Sequence, residues 1–134
     1  MPGYSGTPLS KKLGARAGAR AYLIRVPAEV EHELNVALAP GLRPGGRGPV
    51  DFAMIFARSP RQLGADLSRV GPRLAPAGMV WLCWPKKSSG VEIDFDEHGV
   101  RGAGLGAGFV DVKVCAVTET WSGLKFVRRR KDRA

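Results

Sequence analysis

Apolar residues along this chain gather in short unbroken runs, separated by stretches where they return only every third or fourth position. Residues 21–26, AYLIRV, form such a run, bounded by Gly18 and Pro27. A run this short with breakers on both sides predicts a buried strand. Pro27 suits the first turn of a helix, where its missing N–H has no bond to lose, and Val30, Leu34, Ala37 and Leu38 recur at helical spacing. Residues 51–57, DFAMIFA, predict a second buried strand, and Ser59 followed by Pro60 is an N-cap and first-turn signal. Leu63, Leu67, Val70 and Leu74 share one helical face until Gly71 and Pro72 end that helix near Val70. A third strand is predicted over 79–84.

Asp94 with Glu97 three residues on has capping-box spacing for a helix to about Leu105. Glycines at 99, 102, 104 and 106 each weaken that helix by roughly 1 kcal/mol relative to alanine. Val110, Val112, Val114 and Ala116 then alternate strictly, and a turn rich in Thr, Ser and Gly leads to an apolar run over 124–127. Two antiparallel strands follow.

Strands alternating with helices and closed by a hairpin predict a single Rossmann-like, three-layer α/β domain. Its mostly parallel sheet has about five strands and ends in an antiparallel hairpin. The 134 residues suffice for one core without disulfides or a structural metal. Residues 40–49, PGLRPGGRGP, hold seven Gly or Pro and predict a loop.

Charge changes the picture only once it is located. Residues 1–20 carry Lys11, Lys12, Arg16 and Arg20 with no acid, and residues 125–134 carry six basic side chains against Asp132. These ends supply the whole net charge of +9, since 21–124 has eleven basic and eleven acidic residues. The chain therefore divides into a basic N-terminal segment over 1–20, an α/β domain over 21–128 and a basic tail over 129–134. A nucleic-acid domain usually carries charge on the folded face that meets phosphate, so nucleic acid is expected only as a partner of the tails. There is no run of eighteen apolar residues and no leader pattern, which predicts a cytoplasmic protein without a membrane role. Cys83 and Cys115 lie in apolar runs and are expected to be reduced, buried thiols.

Several motifs fail on mechanism. Residues 102–109, GAGLGAGF, resemble a dinucleotide fingerprint in spacing, but a helix precedes them and a strand follows, the reverse of what places pyrophosphate on helix N–H groups. A helix end and tight turn is the expected role. Lys86-Lys87-Ser88-Ser89 lacks the upstream glycines of a phosphate loop. Ser88 and Ser89 lack those of a nucleophile elbow. His32 and His98 have no ligand-spaced partners, so no metal is expected. No residue is identified as catalytic, and no cofactor is indicated.

In open parallel sheets ligands bind at the carboxyl ends of the strands. If the third strand and the first hairpin strand run parallel, WPKKSSG, 84–90, and TETWSG, 118–123, reach one edge. They would bring together Lys86, Lys87, Ser88, Ser89, Glu119 and Trp121, with Trp84 beside them. Cations and hydroxyls with an aromatic wall suit a small anionic ligand; a protein partner is the other expectation.

GYSGTPLSKKLG near the start, LAPAGMVWLCWPKKSSG in the middle and GFVDVKVCAVTETWSGLKFV near the end resemble a bacterial family of small proteins, domain of unknown function 3052. That resemblance adds Tyr4, Ser5 and Thr7 as residues that fold over the edge. Its wider pattern is similar to a shortened class I methyltransferase fold, with KLGARAGARAYLI at the entry to the first strand, VDFAMIF at the fourth and LAPAGMVWL at the fifth. A divergent or degenerate S-adenosylmethionine-dependent methyltransferase is what this likeness implies. Where such enzymes have a glycine-rich turn after the first strand, this chain has Pro27-Ala28-Glu29.

Overall fold

The computed structural model describes residues 8–37, 43–44, 48–91 and 95–133. Its elements are α1 (Leu9–Leu13), β1 (Arg20–Ile24), α2 (Ala28–Ala37), β2 (Arg43–Pro44), β3 (Val50–Phe56), α3 (Pro60–Val70), β4 (Leu74–Pro85), α4 (Glu97–Gly106), β5 (Phe109–Ala116) and β6 (Trp121–Arg128). They form one sheet in the order β2-β1-β3-β4-β6-β5. β2, β1, β3 and β4 are parallel, and β6 is antiparallel to both β4 and β5. The five expected strands are present, and the two residues of β2 add a sixth inside the stretch expected to be loop.

Because successive side chains of a strand point to opposite faces, the sheet separates two cores. One face packs Ile55, Val80, Leu82 and Phe126 under Leu63, Leu67 and Val70 of α3 and Val100 of α4. The other packs Phe52, Met54, Phe56 and Trp81 under Leu9 and Leu13 of α1 and Val30 and Leu34 of α2. Helices on both faces make the layers three and explain why the central strands read as unbroken apolar runs. α1 belongs to this packing, and the Trp81 indole N–H donates to the Leu13 carbonyl at 2.9 Å.

Local chemistry sets the element ends. The Ser59 hydroxyl accepts from the Gln62 N–H at 3.1 Å, with Pro60 in the first turn of α3. β4 starts five residues before the expected 79. Val50 pairs with Leu74 but Phe52 pairs with Met79, so β4 bulges between them. Gly78 permits the bulge, since a Cβ there would lie 2.8 Å from the Val50 carbonyl oxygen. The cap of α4 is Asp96, whose carboxylate accepts from the Gly99 N–H at 3.2 Å; Asp94 lies outside the described residues, as does Leu38. α4 ends at Gly106, and Gly108 (φ 96°) makes the left-handed turn into β5.

The hairpin alternation has another outcome than core packing. β5 is an edge strand with a register shift between Asp111 and Lys113, and Val112 and Val114 are exposed while Phe109 and Cys115 are buried. The bulge and the limited reach of α4 leave this stretch of the edge uncovered.

The Gly99 N–H holds the Asp96 carboxyl below its ordinary range, which gives a pH-dependent expectation. A depressed folded pKa contributes stability above the unfolded value, and the contribution is lost as pH falls through the folded one. Asp96→Ala should therefore melt below wild type at neutral pH, with the gap closing in acid. Thermal melts of both proteins across a pH series check this.

Candidate functional site

The carboxyl ends of β1, β3, β4 and β5 and the start of β6 share one edge of the sheet. Chain order reverses between β1 and β3: α2 carries β1 outward to β2, and the chain then returns to β3 on β1's other side. The crevice at such a reversal is the usual ligand position of an open α/β sheet. A cleft of about 350 Å³ lies there, lined by Arg25, Pro27, Phe56, Arg58, Gln62 and Trp121.

Arg25 is the residue after β1, and it holds φ 54°, a left-handed conformation usually left to glycine. Its side chain explains how. Nε donates to the Phe56 carbonyl at 2.8 Å, and Nη2 donates to the carboxylate of Asp66. Asp66 on α3 is almost wholly buried and also accepts from Arg69 at 3.0 Å. The turn after β1 is thereby tied both to the end of β3 and to α3.

Arg58 follows β3 by two residues. Its backbone N–H donates to Gln62 Oε1 at 2.8 Å, and its guanidinium lies over the Trp121 ring at 5.4 Å from the centroid. Among the described residues that guanidinium has no ion-pair partner. Phe56 meets Trp121 edge-on, centroids 5.1 Å apart at 83°. The cleft thus has an aromatic wall, an amide and two guanidiniums, of which Asp66 compensates one. Among the described residues no carboxylate lines it, so it suits an anion.

The two segments expected at this edge do meet. The Lys86 N–H donates to the Thr120 carbonyl at 2.8 Å, and Pro85 pairs with Trp121. Their side chains disperse, however. Lys87 and Ser88 are exposed on a 3-10 turn, Glu119 is exposed, and the Ser89 hydroxyl is used within the turn, donating to the Lys86 carbonyl at 2.6 Å. Trp121 and Trp84 pack on opposite faces of the sheet. Of the expected residues, Trp121 lines the cleft; Tyr4, Ser5 and Thr7 lie outside the described residues. Arg25, Arg58 and Gln62 are not among the expected residues. The strand-end rule that marks 84–90 applies equally to Arg25 and Arg58, which follow the first two strands, but not to Gln62 inside α3.

Other chemistry is quiet. Burial pushes the Cys83 thiol well up and lifts that of Cys115 against the pull of Lys12, Lys113 and Lys86, so both free thiols are poor nucleophiles. Among the described residues no three His, Cys, Asp or Glu side chains cluster for a metal, and no helix is long and apolar enough to cross a membrane.

No family model matches the chain, and no curated protein does. Solved structures do. Magnesium protoporphyrin IX methyltransferase of Synechocystis PCC 6803, with bound S-adenosylmethionine, is 13% identical with a TM-score of 0.57 over 90% of this chain and 74% of that one. The fibrillarin pre-rRNA processing protein of Methanococcus jannaschii is 11% identical with a TM-score of 0.54 over 95% of this chain and 71% of that one. A pericyclic reaction enzyme is 10% identical with a TM-score of 0.57 over 90% of this chain and 39% of that one. At such identities the likeness is one of fold: this chain has a Rossmann-like, class I methyltransferase-like fold.

Proposed function

We propose that this protein is a divergent methyltransferase-fold protein that binds a nucleoside-linked amino acid in the cleft between the ends of β1 and β3. The observation that carries this reading is the position of Arg58, whose guanidinium is available to a ligand carboxylate at the reversal point of the sheet. S-adenosylmethionine is bound by one structural neighbour and S-adenosylhomocysteine by another form of it, and both carry such a carboxylate.

The cleft residues fit these two molecules unequally. Arg58 offers a charge-assisted bond to the carboxylate, and Phe56 and Trp121 offer ring contact. The sulfonium of the methyl donor would share the cleft with two guanidiniums, whereas the thioether of the demethylated product is neutral. Repulsion of about 1 kcal/mol, as for charges a few ångströms apart in water, is worth a five- to tenfold difference. Pro27-Ala28-Glu29 in place of a glycine-rich turn supports a ligand-binding protein over a methyl-transfer catalyst, and the pericyclic reaction enzyme among the neighbours illustrates that the fold does not dictate methyl transfer.

Calorimetric titration tests this. S-adenosylhomocysteine is expected to bind about five- to tenfold more tightly than S-adenosylmethionine, and Arg58→Ala is expected to weaken both while leaving the melting temperature nearly unchanged. No heat from either compound at millimolar concentration would remove this reading. The two guanidiniums favour a second one, a binding module for a simpler carboxylate or phosphate, and heat from such an anion alone, lost in Arg58→Ala, would select it.

A further inference from the structure

Lysines gather on the face of the sheet that carries α1, toward the β5 edge. Lys113 and Lys125 are register partners across β5 and β6. Like charges directly opposite each other on a sheet repel, and among the described residues neither has an acidic partner. Lys125 also pairs in register with Trp81 of β4, whose side chain packs in the α1-side core. The turn ending α1 comes down over it: a Cβ on Gly14 would lie 3.7 Å from Lys125 Nζ. From α1 itself, Lys12 Nζ donates to the Ala116 carbonyl at 3.5 Å, at the end of β5. Lys86 approaches from the end of β4, close enough to act with Lys12 and Lys113 on the Cys115 thiol.

Ordinary uses of surface lysine account for only part of this. A lysine on an edge strand blunts unwanted strand pairing, which covers Lys113. Lys125, however, lies on β6, between β4 and β5, and is half-buried. Burial pushes its ammonium down, and Lys113 adds to the effect. An ammonium that has lost water and faces a second ammonium is held against its own preference. A multiply charged anion between the two would relieve both.

We propose that Lys12, Lys113 and Lys125, with Lys86 at the rim, form an anion site for the phosphate groups of a small phosphate-bearing molecule. Lysine ammoniums bind phosphate as point charges and need no planar fork, which matches a cluster built without arginine. The site shares no residue with the arginine cleft and does not depend on the reading given to that cleft.

Inorganic pyrophosphate is the probe, titrated calorimetrically into the full chain at about 0.15 M salt, where loose attraction to exposed charge is screened. Wild type is expected to bind, and Lys113→Ala with Lys125→Ala to bind about tenfold or more weakly. Arg58→Ala is expected to bind pyrophosphate as wild type does. Removing two facing ammoniums should leave the melting temperature unchanged or raised, so a folded double variant is expected; Lys12→Ala, on another element, is expected to weaken binding as well. Absence of binding by wild type, equal affinity in the lysine variants, or loss of binding in Arg58→Ala would overturn the assignment.

Discussion

Gly104→Ala is expected to destabilise the protein by about 3 kcal/mol, the upper end of the usual cost of overpacking a core. Gly104 lies in the last turn of α4, still inside the helix, where alanine would ordinarily help. Here a Cβ would fall 2.1 Å from Phe126 Cε2 and 2.3 Å from its Cζ. Phe126 is fully buried on β6 among Leu82, Leu124 and Val100, so the ring has no open side to move into. α4 must instead lift from the sheet, loosening Val100 at the same time. Chemical denaturation of wild type and variant measures the loss. Adding Phe126→Leu to Gly104→Ala should restore part of the stability, because the shorter side chain vacates the space the Cβ needs. A Gly104→Ala protein within about 0.5 kcal/mol of wild type, the range of neutral surface changes, would show that the helix and sheet are not in this close contact.

That contact also explains why one feature was visible in the sequence only as a cost. Gly99, Gly102, Gly104 and Gly106 all look like weaknesses in a helix when read along the chain. Of these, Gly104 is where a Cβ would meet a buried ring, whereas one at Gly102 or Gly106 would meet open space. Periodicity reports which residues share a helix face; it carries no information on how near the partner surface stands. The same holds for β4: Pro76 and Gly78 are strand breakers by residue type, and the bulge opposite Val50 accommodates them within the longer strand.

The candidate site was half legible for a related reason. Alternating strands and helices indicated the carboxyl edge, and the convergence of 84–90 with 118–123 follows from two strands antiparallel to a third. Along the chain only those two segments show their polar content. Arg25 and Arg58 are single arginines beside apolar strands, and their proximity depends on β1 and β3 being neighbours, a fact of topology with no local signature. Lys12 is still harder to see. It lies more than a hundred residues from Lys113 and Lys125 in the chain, inside a stretch that composition alone marks as a basic end.

Asp66→Ala should cost about 2 to 3 kcal/mol, somewhat less than the loss usual for a fully buried pair, because its two cationic partners keep contact with water. The Asp66 side chain is 3% exposed, but those of Arg25 and Arg69 are 39% and 61% exposed. What the substitution removes beyond charge pairing is the restraint on Arg25, whose left-handed backbone costs on the order of 1 kcal/mol for a residue with a Cβ. Without Asp66, the bond from Arg25 Nε to the Phe56 carbonyl remains to hold that turn. Glycine takes φ 54° freely, so Arg25→Gly has expected costs of different size in two backgrounds. In wild type it strands a buried carboxylate with Arg69 alone and destabilises clearly; in Asp66→Ala the strain relieved offsets the lost bond to the Phe56 carbonyl, and the change is close to neutral. A double-mutant cycle by denaturant unfolding reads this coupling directly, and an Arg25→Gly effect of the same sign and size in both backgrounds would refute it. The coupling bears on the cleft as well, because the turn that Asp66 holds forms one wall of it. Asp66→Ala should therefore weaken whatever the arginine cleft binds without touching a ligand contact, whereas Arg58→Ala should weaken it with stability intact.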